Sequence, residues 1–115
     1  MKDDKVYLIH ILECIERIEQ YTGGGTEVFF TDIKTQDAVL RNLHTLSEST
    51  QRLSQTLKTS NPEIDWRGLS GFRNILVHDY LGVNLTLVWE VVERDLPDLK
   101  AKVRALMRKL GFDLR

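Results

Sequence analysis

Between Phe72 and Tyr80 the chain reads Phe-Arg-Asn-Ile-Leu-Val-His-Asp-Tyr, setting four chemically versatile side chains into an otherwise apolar stretch. A histidine that titrates near pH 6.5 can take the proton of a ribose 2′-hydroxyl or return one to a leaving oxygen. Arginine stays charged, and its planar fork can hold a phosphate and stabilise the charge that builds in the transition state. Asn74 can orient the phosphate or the imidazole. Arg73, Asn74 and His78 together suit cleavage of a phosphodiester without a metal. No HExxH pattern or acidic metal cluster accompanies His78.

Helical geometry constrains how these groups meet. Successive residues turn by 100°, so Asn74 and His78 share one face and Arg73 and Tyr80 share another. Arg73 and His78 are then ~140° apart around a regular helix and about 7.5 Å apart along it. They converge if the helix loosens near His78, or if a two-fold axis sets a second copy of the segment opposite the first. A structural role is also open to them: Arg73 can pair with Asp79 or a neighbouring helix, and His78 can cap a helix end.

The elements that must position this stretch are all read as helices. Leu8, Ile11, Leu12, Ile15 and Ile18 recur at helical spacing over Asp4 to Tyr21, and Thr22-Gly23-Gly24-Gly25 ends that helix in a flexible connection. The glycines lack the GK[ST] of a phosphate loop. A second helix is expected from a cap at Thr31 or Asp32 to about Lys58, roughly 40 Å long, with Asn61-Pro62 breaking it. A third starts around Asp65 and carries Trp66, Leu69, Phe72, Ile75, Leu76 and Tyr80 up to Gly82, with Gly68 and Gly71 leaving room for another helix. Asn84 is expected to cap a fourth, Leu85 to Arg94, which is apolar nearly all round and therefore suited to a subunit interface. Asp95 and Pro97 are expected to open a fifth that ends at Gly111.

A chain of 115 residues with 42% apolar and 29% charged residues has the size and composition of one globular domain, residues 1–115. Its net charge is −1, so no overall field recruits nucleic acid or an anionic membrane. The charge is uneven. Residues 1–40 hold four Lys/Arg against eight Asp/Glu, whereas residues 95–115 hold six against three. The basic end can steer a partner or an RNA, or both regions can be plain solvated faces. Cys14 is the only cysteine and falls on an apolar face, which predicts an inert core thiol and excludes an internal disulfide or a cysteine zinc site. With no signal-peptide layout and no apolar run of membrane length, the expected setting is cytoplasmic, with no membrane partner. His10 and His44 are read as surface histidines, and Trp66 and Trp89 as packing residues rather than base-stacking platforms.

GFRNILVHDYLGVN, residues 71–84, followed by VWEVVERDLPDLK, resembles the HepT-like toxins of the HEPN superfamily. Their signature is Arg, four residues, His, one residue, Tyr, usually with a polar residue after the Arg. Arg73, Asn74, His78 and Tyr80 satisfy every position. The likeness runs from about Ile64 to Val103 as sequence, and the order of long helices extends it over the chain. It implies an all-α, up-down bundle of four to five helices and a two-fold homodimer, or a higher even oligomer, whose Arg/His helices line one cleft. It further implies a metal-independent endoribonuclease toxin with no cofactor, acting on RNA such as tRNA or mRNA. His78 is then the acid/base, Arg73 the phosphate ligand and Asn74 an assistant. The implied partner is a minimal nucleotidyltransferase antitoxin that silences the toxin by attaching AMP to Tyr80. The alternative within the same superfamily is a non-catalytic helical binding partner of a nucleotidyltransferase, which has no need of the Arg/His pair.

Overall fold

A computed structural model of the chain describes residues 4–70 and 84–112, and every regular element among them is helical. α1 (Asp4–Tyr21) buries Leu8, Ile11, Cys14, Ile15 and Ile18, the stripe its spacing predicts. α1 lies between two antiparallel neighbours. At its start, Asp4 accepts hydrogen bonds from the backbone N–H (2.8 Å) and hydroxyl (2.6 Å) of Ser54, just beyond α3 (Ile33–Arg52). Along the other side runs the C-terminal helix, where Lys100 Nζ meets Glu19 Oε1 at 2.9 Å and Lys5 stands 5.7 Å above the Phe112 ring. This is the up-down arrangement expected of the bundle. Its core is Leu8, Ile11, Ile15 and Ile18 of α1 against Val39, Leu43 and Leu46 of α3 and Leu99, Val103 and Leu106 of the C-terminal helix, all buried. Each such side chain contributes roughly 1.5–3 kcal/mol by leaving water.

The triple glycine is a turn into another helix rather than a loose connection. α2 (Thr26–Thr31) follows directly, with Gly25 at φ +91° ahead of it, a conformation that only glycine adopts at little cost. α2 inserts Phe29, which is fully buried and stacks on Trp89 with ring centroids 5.0 Å apart. Asp32 caps α3 as predicted: Oδ1 accepts from Lys34 N (3.3 Å) and Oδ2 from the Thr35 hydroxyl (2.7 Å).

The expected 40 Å helix is divided in two. α3 stops at Arg52, Leu53 is extended at ψ 148°, and α4 (Gln55–Ser60) begins afresh with Ser54 Oγ accepting from Leu57 N. Thr50, whose hydroxyl donates back to Leu46 O, weakens the last turns of α3, and the Asp4 tie holds Ser54 in its capping conformation. Leu53 and Leu57 stay buried on either side of the break, so the apolar pattern alone did not reveal it.

The expected fourth and fifth helices form one continuous rod. α5 (Leu85–Glu90) starts at the predicted cap, Asn84, then widens into π-helical turns over Val91–Asp95 and continues as α6 (Leu96–Lys109). Asp95 is itself helical and makes no capping hydrogen bond. The wider turn, in which Leu96 N donates to Val91 O five residues back, accommodates Pro97, which lacks an N–H and would press on a carbonyl in a regular helix. α6 ends as predicted, with Gly111 at φ +76°. Phe112 N donates to Met107 O and Gly111 N to Arg108 O, closing the helix with both orphan carbonyls satisfied. None of the described helices is long and apolar enough to cross a membrane.

Candidate active site

Arg73, Asn74, His78 and Tyr80, together with Gly71 and Gly82, lie outside the described residues. What the structure does describe is the frame on both sides of them. Residues 66–70 are helical and begin where expected, at Asp65. Asp65 caps this turn: its Oδ1 accepts from Gly68 N at 3.0 Å and its carbonyl from Leu69 N at 3.1 Å. A Cβ on residue 68 would collide with that carboxylate, so Gly68 admits the cap rather than a neighbouring helix.

The turn is pinned to the rest of the molecule through Asn61 and Trp66. Trp66 is 9% exposed and its indole N–H donates to Asn61 O at 2.9 Å. Asn61, 3% exposed, donates from Nδ2 to Leu57 O (2.9 Å) and accepts at Oδ1 from Lys109 Nζ (3.5 Å). One buried residue thus joins three elements: its side-chain amide links the end of α4 to the end of α6, and its backbone carbonyl holds the turn entering the motif. Farther along, the Ser47 hydroxyl of α3 donates to Ser70 O at 3.3 Å, and Leu69 packs into the core. On the far side of the motif, Asn84 Oδ1 accepts from Leu87 N at 3.1 Å, and buried Val88 and Val91 hold the rod against its neighbours. Trp66 and Asn84 stand out in the sequence, whereas Asn61 reads there only as half of the Asn-Pro helix break. An Asn-Pro pair signals a turn and carries no sign of a buried amide hub.

Two depressions flank the turn 66–70, and their charge differs. One, of about 220 Å³, is lined by Glu63, Asp65, Asp95 and Asp98 with a single cation, Lys102, which pairs with Asp98 at 2.9 Å. The other is a shallow groove of about 600 Å³ between α4 and the turn, lined by Lys58, Arg67, Glu63, Asp65, Thr59 and Ser70 among others, so that two cations face two carboxylates.

Other residues take the roles their spacing predicts. Cys14 is buried, and burial pushes its thiol above the ordinary value, with Arg17 pulling it back and Glu13 pushing it the same way. His10 is exposed, edge-on to Tyr7, and His44 stands 3.7 Å from Glu48 on the outer side of α3. Both tryptophans pack: Trp66 in the core and Trp89 on Phe29. Among the described residues, no group of three or more His, Cys, Asp or Glu side chains is arranged to hold a metal ion.

With this frame in view, comparison with known proteins is decisive. The family model described as "Ribonuclease HepT-like" matches residues 11–106, which include the whole Arg73–Tyr80 stretch. The chain belongs to the HepT-like ribonuclease family. Among its relatives, "Probable ribonuclease HepT" of Thermococcus cleftensis is 38% identical over 93% of this chain and 98% of its own length. "Gamma-glutamylcyclotransferase and putative RNase MJ0434" of Methanocaldococcus jannaschii is 43% identical over 95% of the chain, which spans only 50% of that protein. "mRNA nuclease HepT" of Shewanella oneidensis is 32% identical, covering 78% of the chain and 85% of its own length. No solved structure gives a significant match. The all-helical bundle is the architecture expected of a HepT-like protein.

Proposed function

We propose that this HepT-like chain is the toxin component of a toxin–antitoxin system, a metal-independent endoribonuclease that acts on RNA in the cytoplasm as a homodimer. The observation that carries this reading is the motif itself: Arg73, Asn74, His78 and Tyr80 at family spacing, inside the matched region. His78 takes the proton of a ribose 2′-hydroxyl, the oxygen attacks the adjacent phosphorus, and the bond to the 5′-oxygen breaks. The products are a 2′,3′-cyclic phosphate and a 5′-hydroxyl, the latter protonated by the partner's imidazole or by water. Arg73 holds the non-bridging oxygens as charge builds on them. Asn74 orients the phosphate, and two copies of the motif form one cleft. Tyr80 receives AMP from a nucleotidyltransferase antitoxin, which places a bulky anion beside the phosphate site and shuts it. Names of relatives that specify an RNase support the activity.

The test is degradation of RNA by purified protein in EDTA. Arg73→Ala and His78→Ala should keep the helical circular dichroism of the wild type and lose the activity. Equal rates in all three proteins would remove the catalytic assignment and favour the non-catalytic binding partner.

A further inference from the structure

We draw no further inference here: the strongest candidate, the acidic depression of Glu63, Asp65, Asp95 and Asp98 between the turn 66–70 and α6, is a cluster of carboxylates with no second feature that points to a ligand.

Discussion

His78 and Arg73 divide the proposed reaction between a group that titrates and a group that does not. The imidazole must exchange a proton within the working pH range, while the guanidinium must hold its charge throughout. In the proposed switch the Tyr80 phenol oxygen would attack the α-phosphorus of ATP on the antitoxin and pyrophosphate would leave, so the modified chain should gain the mass of AMP. Incubation with the cognate nucleotidyltransferase and ATP should show that increment by intact-protein mass spectrometry, and Tyr80→Phe should abolish it. No increment in the wild type would remove the switch and leave the cleavage chemistry standing. Single residues were also where the sequence was most readable. Cys14 on an apolar face proved buried with a raised thiol pKa, and Asn84 and Asp32 proved to be caps. In each case a local rule was enough. Asn61 was not readable in this way, because its three partners come from α4, the turn at Trp66 and Lys109 of α6.

The helices confirm the periodicity but not its boundaries. An apolar stripe persists through a break when the residues on either side stay in the core, as Leu53 and Leu57 do, so α3 and α4 read as one helix. The opposite error arose at Asp95-Leu96-Pro97. The cap-and-proline pattern announced a new helix, whereas π-helical turns carry the rod past the proline. Capping also gives a pH-dependent test at α3. The Thr35 hydroxyl and the backbone N–H groups of Lys34 and Thr35 hold the Asp32 carboxyl below its ordinary value. A lowered folded-state pKa means that its contribution is complete above the ordinary carboxylate range and is lost as pH falls through the folded value. Asp32→Ala should therefore have a lower melting temperature than the wild type at neutral pH, with the gap narrowing below about pH 4. A gap that stays constant down to low pH would show that the ionised cap is not its source.

The bundle leaves apolar side chains uncovered around α2 and α5. Phe30 and Leu87 are exposed, Ile33 is 70% exposed, and Phe30 lies 6.3 Å from Trp89. The sequence had marked Leu85 to Arg94 as apolar on too many sides for one bundle to cover, and Leu87 remains open to solvent in the single chain. A two-fold partner covering this face fits the proposed dimer. Leu87→Asp should move the protein from dimer to monomer in analytical ultracentrifugation, with its helicity retained and its RNA cleavage lost. A variant that stays dimeric and active would place the subunit contact elsewhere.

The proposed activity depends most on the imidazole of His78 carrying the proton in a reaction that uses no metal. The direct measurement is the initial rate of RNA cleavage in excess EDTA for wild-type protein and for His78→Ala, each shown to be folded by circular dichroism. The prediction is an EDTA-resistant wild-type rate and a loss on the order of 10² to 10⁴ in the variant, the usual contribution of a positioned general acid or base. A wild-type rate abolished by EDTA, or a folded His78→Ala that cleaves as fast as the wild type, would contradict it.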